Sequence, residues 1–327
     1  MRDSIVSWKK ILAQGFTSSY DLLKFLELPV ELANEAASKQ FKTRVPHGFA
    51  TRMQKRNPHD PLLLQVLATD FEIEKVENYT KDPLEEAKSN LIPGLLHKYE
   101  GRILLTLTGS CAVNCRYCFR RHFSYQDNNP GKEGWQKIIQ YLQENPSIYE
   151  VILSGGDPLV APDKMLEELI KQLEAIEHIK ILRIHTRIPI VLPERITDAF
   201  LQLLKATSLH KIIVLHCNHA QEIDSQVKVV CRKLIEADCT LLNQAVLLKG
   251  INDHVDTLTN LSRSLFDCGI LPYYLHLLDK VTGAAHFDLP LEEARKLYQQ
   301  LQTKLPGYLV PKLAYEEPGK KSKTLLY

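Results

Sequence analysis

Three cysteines stand within eight residues, in the run Thr108-Gly109-Ser110-Cys111-Ala112-Val113-Asn114-Cys115-Arg116-Tyr117-Cys118. Their C-x3-C-x2-C spacing lets one short loop wrap three thiolates around one face of a soft metal centre. A four-iron cluster held in this way keeps one iron without a protein ligand. That iron can bind the amino and carboxylate groups of a small molecule and pass it an electron. Reductive cleavage of S-adenosylmethionine (SAM) needs this arrangement, and its radical chemistry belongs to the cofactor rather than to side chains. Two plainer readings stand beside it: a three-cysteine zinc site completed by His122 or another histidine, and a chance grouping of core cysteines. Zinc ribbons use two separated C-x2-C pairs, which this run is not.

The remaining cysteines, Cys217, Cys231, Cys239 and Cys268, are scattered, and seven is an odd total, so metal or redox chemistry fits better than a disulfide framework. Forty-one basic against thirty-nine acidic residues leave a formal charge of +2, with no long run of one sign. Bulk charge gives no reason to expect nucleic acid. The N-terminus, Met1 to Lys10, lacks a continuous apolar stretch after its charges, and no eighteen-residue apolar run occurs, so the expectation is a cytoplasmic protein without a membrane span. At 327 residues and 44% hydrophobic composition the chain can bury a sizeable core.

The elements that must hold the cysteines follow from periodicity. Apolar, β-branched runs predict strands at Arg102–Thr108, Tyr149–Ser154, Lys180–Thr186, Lys211–His216, Thr240–Leu247 and Leu271–Leu278. Helical patterns follow at Gly134–Glu144, Pro162–Ile176, Pro193–Lys205, Glu222–Glu236, Val255–Cys268 and Pro290–Leu301. Six βα units imply a parallel sheet, either closed toward a barrel or doubly wound. The cysteines directly follow the first strand, at the end where parallel α/β folds place their active sites. Before residue 100, amphipathic stretches at Ser19–Leu28, Val30–Lys39, Pro61–Leu67 and Pro83–Ser89 predict a mostly helical extension.

The cysteine spacing, with aromatic Tyr117 before the last thiol, resembles that of the radical SAM superfamily, whose usual fold is a partial (β/α)6 barrel. The resemblance implies three parts: a helical extension over 1–95, the barrel over 96–305, and a C-terminal segment over 306–327. Ser154-Gly155-Gly156-Asp157-Pro158, by composition a turn signal, resembles the superfamily's glycine-rich SAM segment and makes Gly155, Gly156 and Asp157 candidate SAM contacts. Further runs, Cys118-Phe119-Arg120-Arg121-His122-Phe123, Thr186-Arg187-Ile188-Pro189, His216-Cys217-Asn218-His219, Asn243-Gln244-Ala245-Val246 and Pro272-Tyr273-Tyr274, together resemble the lysine 2,3-aminomutase family.

That resemblance implies an isomerase that uses a [4Fe–4S] cluster on Cys111, Cys115 and Cys118, SAM and pyridoxal 5′-phosphate (PLP) to convert L-α-lysine to β-lysine. It implies Lys323 as the Schiff-base lysine, with Lys321 the neighbouring alternative in a segment richer in lysine than the family's. It further implies PLP contacts at Arg102 and Lys98, a substrate-carboxylate contact at Arg120, and ammonium contacts at Asp279 and Glu316. Gln244 and His216, at strand ends, are SAM or PLP contacts or structural hydrogen-bonding residues. The short C-terminus resembles the bacterial branch that makes (R)-β-lysine for modifying elongation factor P. The implied partners are free L-lysine, an electron donor such as flavodoxin or ferredoxin, and an elongation factor P lysyl-ligase, with no nucleic acid and no membrane. The alternatives are an aminomutase for glutamate or arginine, and a non-catalytic iron–sulfur protein that binds elongation factor P.

Overall fold

The strands form where β-branched and leucine-rich runs meet turn-forming residues, and they pair in the order in which the chain makes them. In the computed structural model, which describes residues 7–326, they are β1 (Asn90–Ile92), β2 (Leu95–Tyr99), β3 (Arg102–Thr108), β4 (Glu150–Gly155), β5 (Ile181–Thr186), β6 (His210–His216), β7 (Cys239–Val246), β8 (Leu271–His276), β9 (Lys312–Tyr315) and β10 (Thr324–Leu325). Strands β3 to β9 run parallel, while β1, β2 and β10 add antiparallel edges.

Preceding the sheet are the short helices α1 (Trp8–Ala13), α2 (Ser19–Phe25), α3 (Glu35–Gln40), α4 (His47–Ala50), α5 (Pro61–Leu64) and α6 (Glu86–Ser89). Ser7, Ser18, Asn34 and Asp60 start four of them by accepting backbone N–H bonds as N-caps. Between and after the strands come α7 (Gly131–Glu144), α8 (Asp163–Glu174), α9 (Ile188–Val191), α10 (Asp198–Ala206), α11 (Ser225–Ile235), α12 (Val255–Phe266) and α13 (Leu291–Lys304). Each of the six units expected from periodicity is present, giving the open (β/α)6 barrel. On β5, Leu182, Ile184 and Thr186 are buried, while Ile181, Arg183 and His185 on the other face are half-buried. That alternation is what a sheet packed on helices outside and on an open lumen inside produces.

Three details add to or alter the expectations. The mostly helical extension also holds strands within Asn90–Tyr99, and β2 begins at Leu95. After a 3-10 turn at Gly307–Leu309 the C-terminal segment joins the sheet: β9 continues the parallel run and β10 turns back on it. The helix expected over Pro193–Lys205 breaks into a 3-10 turn at Pro193–Arg195 and α10, where Thr197 caps a fresh start through the Phe200 N–H. One apolar core runs from Leu12 to Leu326, so extension, barrel and C-terminal strands are packed together. Met1 to Val6, part of the N-terminal stretch read above for charge and hydropathy, lie outside the described residues. Among the described residues no helix is long and apolar enough to cross a membrane.

The extension packs over the C-terminal ends of the strands. Asn114 N–H donates to the Arg44 carbonyl, Arg116 N–H to the Gln65 carbonyl, and Thr80 pairs with the loop after β8. The firmest joint is Glu72. Its carboxylate takes two bonds from Arg116, at 2.7 and 2.6 Å, and one from Arg121 at 2.6 Å, and all three residues are buried. Arg116 also donates to the carbonyls of Phe41 and Ala37, so the guanidinium that follows Cys115 is tied into the extension from several sides. Removing one partner of such a buried cluster strands the other charges. Glu72→Ala is therefore expected to destabilise the protein by about 3–5 kcal/mol, read as a lowered denaturation midpoint; a midpoint within error of wild type would show that the joint carries no load.

Candidate active site

The loop after β3 carries the three thiols, and it rests directly on the glycine-rich loop after β4. Gly156 N–H donates to the Thr108 carbonyl at 2.7 Å and Asp157 N–H to the Ser110 carbonyl at 2.8 Å. The glycines are needed for this contact. A Cβ on Gly155, which has φ +112°, would sit 2.8 Å from the Thr108 carbonyl oxygen, and one on Gly156 would collide with the Ser110 carbonyl. Asp157 staples the same loop to the end of β5. It accepts from Thr186 Oγ1 at 2.7 Å and from the N–H groups of Leu159, Arg187 and Ile188. Its carboxylate is thereby spent on the scaffold.

Cys111, Cys115 and Cys118 are free and partly accessible. Burial, and then neighbouring thiols, resist ionisation of two of them: the Cys111 thiol is raised, with Cys118 and Cys115 among the causes, and Cys118 is pushed up to about 11 by burial and by Cys115. Three thiolates carried by one eight-residue loop need a strongly positive centre to coexist there, which the iron ions of a cluster would supply. Among the described residues no three His, Cys, Asp or Glu side chains converge tightly enough to hold one metal ion. His122, the candidate fourth zinc ligand, has its Nε2 3.1 Å from the Thr282 carbonyl instead.

Behind the thiols lies a buried polar network in which the sequence reading gave only His216 a candidate role. Arg187 directs Nη1 at Cys115 Sγ, 2.7 Å away, and at the Tyr117 hydroxyl, 2.8 Å away. Its Nη2 donates to Gln65 at 2.6 Å and Glu222 at 2.9 Å. The Tyr117 hydroxyl lies 2.8 Å from His216 Nε2 and accepts from Asn218 at 2.7 Å. Burial and then Arg187 lower His216 to about 3, so its ring is neutral. His216 stands in register with Gln244 on the neighbouring strand. Arg187 follows Thr186 in a run that the resemblance singled out without giving it a role.

The second half of the site is a chain of alternating charges. Arg120 holds Glu86 through two 2.7 Å bonds; Glu86 faces Lys98 at 3.7 Å; Lys98 pairs with Glu316 at 3.0 Å; Glu316 accepts from Lys323 at 2.8 Å. The last link follows from strand register. Tyr315 opposes Thr324 and Ala314 opposes Leu325, so Glu316 and Lys323 are the next cross-strand pair beside the turn. Lys323 points inward, 5.9 Å from the Tyr274 ring centroid, whereas Lys321 is exposed. Arg102 joins from β3, its guanidinium 4.7 Å over the Tyr99 ring.

Asp279, just past β8, completes the group. Burial, and then the neighbouring Glu316, push its carboxyl up to about 7 despite Lys323. Burial opposes ionisation of Glu316 as well, but Lys323 and Lys98 outweigh it and hold that carboxyl at about 2. The structure therefore brings together Lys98, Arg120, Asp279, Glu316 and Lys323, residues spread over more than two hundred positions, and adds Glu86, which the sequence reading missed. His185, on the half-buried face of β5, feels the charges of Arg183, Lys323 and Arg120, and its buried Nε2 has no hydrogen-bond partner. An unpaired ring nitrogen among cations is what a site shaped for an anionic, hydrogen-bonding ligand leaves open.

Comparison with known proteins agrees with this geometry. The model of the radical SAM superfamily matches residues 105–260. The chain is similar to the L-lysine 2,3-aminomutase of Escherichia coli (strain K12), 50% identical over 98% of this chain and 94% of that protein. It is similar also to that of Haemophilus influenzae, 50% identical over 98% of this chain and 95% of its relative. With the L-lysine 2,3-aminomutase of Clostridium subterminale it shares 33% identity over 97% of this chain and 77% of the longer protein. A thiol loop seated on a glycine turn, a barrel lumen with an inward lysine, and identity along nearly the whole chain converge: this chain belongs to the lysine 2,3-aminomutase family of radical SAM enzymes.

Proposed function

We propose that this enzyme converts L-lysine to (R)-β-lysine with a [4Fe–4S] cluster, SAM and PLP, in the cytoplasm, and that the product serves modification of elongation factor P. The observation that carries the lysine reading is the charge chain from Arg120 to Lys323 with Asp279 beside it. It offers a fork for a carboxylate at one end and two carboxylates for a side-chain ammonium at the other. A glutamate substrate would put a second carboxylate against Asp279 and Glu316. The identity to the L-lysine 2,3-aminomutases of E. coli and H. influenzae supports lysine as the substrate. A flavodoxin or ferredoxin as reductant and a lysyl-ligase as recipient of the product belong to the same proposal.

Bound in the lumen, the cluster and SAM would supply hydrogen abstraction at C3 of lysine, and PLP a conjugated carbonyl that holds the nitrogen during its shift from C2 to C3. Cys111, Cys115 and Cys118 would hold the cluster. Gly155 and Gly156, whose turn is seated on the thiol loop, would contact the SAM amino group through their backbone. Lys323 is the lysine that would carry PLP, and its Nζ is kept inside by Glu316. Lys98 and Arg102 supply cationic charge for the PLP phosphate, Lys98 as a point charge and Arg102 as a planar fork. Arg120 takes the substrate carboxylate. When Lys323 gives up its place at Glu316, that carboxylate is left with Lys98 and can accept the substrate's side-chain ammonium together with Asp279. The extension, packed over the strand ends, keeps water from the reacting carbons.

Anaerobic incubation of the reconstituted enzyme with SAM, PLP, dithionite and L-lysine is expected to yield β-lysine, separable by chromatography, and Lys323→Ala is expected to yield none. Cleavage of SAM with lysine unchanged would sink the substrate assignment and leave the family intact. The raised Asp279 carboxyl gives a further test. An ammonium is held best by an ionised partner, so lysine affinity should strengthen as pH rises through about 7 and level off above it. Asp279→Asn should bind lysine more weakly, on the order of ten-fold, with that rise removed. A wild-type profile flat between pH 6 and 8 would show that Asp279 does not face the ammonium.

A further inference from the structure

A guanidinium presents two forked edges, Nε with Nη2 and Nη1 with Nη2. On Arg120 a carboxylate fills only the first: Glu86 Oε2 accepts from Nε and Oε1 from Nη2, each at 2.7 Å. Nη1 is steadied by Ser154 Oγ at 3.1 Å and reaches the Gly155 carbonyl at 3.4 Å. The guanidinium carbon lies 4.9 Å from the Phe119 ring centroid. Both charged residues are buried, Arg120 at 8% and Glu86 at 4% exposure, so neither is a surface arm. Glu86 is itself pinned: its N–H donates to Asp82 Oδ1 at 3.0 Å, and its carboxylate faces Lys98 at 3.7 Å.

We propose that Glu86, from α6 in the N-terminal extension, is the positioning residue for Arg120, fixing the plane of the guanidinium so that its Nη1/Nη2 edge meets the carboxylate of the amino-acid substrate. The inference rests on the reading of Arg120 as the carboxylate contact and assigns the device that orients it. A desolvated arginine without a counter-ion turns toward the nearest available carboxylate. The other carboxylates of this charge cluster are Glu316, joined to Glu86 through Lys98, and Asp279, the groups reserved for the opposite end of lysine. Glu86 prevents that cross-pairing by satisfying the inner edge in advance, with Lys98 placed between Glu86 and Glu316. Order is imposed before the ligand arrives, so the ligand does not bear the cost of ordering the fork. Substrate recognition then depends on the extension as well as on the barrel.

The test is calorimetric binding to the reconstituted holoenzyme with SAM and no reductant, comparing L-lysine with 1,5-diaminopentane, which keeps both amines and lacks the carboxylate. Glu86→Gln is expected to weaken lysine binding on the order of ten-fold and to leave diaminopentane binding unchanged. Equal weakening of both ligands would reveal a general structural role, and unchanged lysine binding no role. Tighter lysine binding would make Glu86 a competitor for the fork. Each of these three outcomes overturns the proposal. Arg120→Gln separates the two layers. If it leaves lysine binding intact, the carboxylate reading of Arg120 fails; if it weakens lysine selectively while Glu86→Gln does not, only the positioning role fails. Should Glu86→Gln not fold, Glu86→Asp, one methylene shorter, carries the same comparison.

Discussion

Buried guanidinium groups around the cysteine loop are the constraint on which the rest of this structure depends. Arg116, Arg120, Arg121 and Arg187 lie within or beside the strand ends that carry the thiols, and all four are buried. A buried cation is tolerated only with a matched carboxylate and satisfied donors. Glu72 serves Arg116 and Arg121, Glu86 serves Arg120, and Glu222 serves Arg187. Two of those three carboxylates come from the extension before the barrel. The extension is therefore a source of counter-ions as much as a cover, and the cysteine loop cannot take its shape without it.

The same logic orders the lumen. Parallel strands carry alternate side chains inward, and the inward set on β5 and β8 includes Arg183, His185, Tyr274 and His276, all half-buried. Burial and the surrounding cations keep the His185 and His276 rings neutral. Positive charge is thus concentrated on the lysines and arginines that can move or exchange partners. Asp279 and Glu316 illustrate how position splits two chemically similar groups: burial, and then Glu316, raise the first to about 7, whereas Lys323 and Lys98 outweigh burial and lower the second to about 2.

Much of the barrel was legible in the chain because its signals are local. Each βα unit carries its own change of hydrophobic period, and the three thiols share one loop, so neither needed a distant partner to be recognised. The resemblance supplied Lys323, Arg120, Asp279 and Glu316 as a set, although nothing local marks a lysine in a basic, glycine-containing tail. The short strands β1, β2, β9 and β10 were not legible. With between two and five residues each, they have too little alternation to stand out, and they form because neighbouring strands offer unpaired edges.

By itself the sequence determined the cysteine loop, its place after the first barrel strand, and the six-unit parallel framework, since spacing and periodicity act over a few residues. Tertiary structure decided which charges meet. Glu72, Glu86 and Glu222 look like ordinary surface glutamates in polar segments, and each becomes a buried counter-ion 34 to 49 positions from its arginine. Glu316 finds Lys323 through hairpin register, yet it finds Lys98 only because β9 lies in the same sheet as β2, 218 residues apart in the chain. Coulomb attraction has no sequence signature. Which acid neutralises which base is fixed when packing removes the water that would otherwise serve them all.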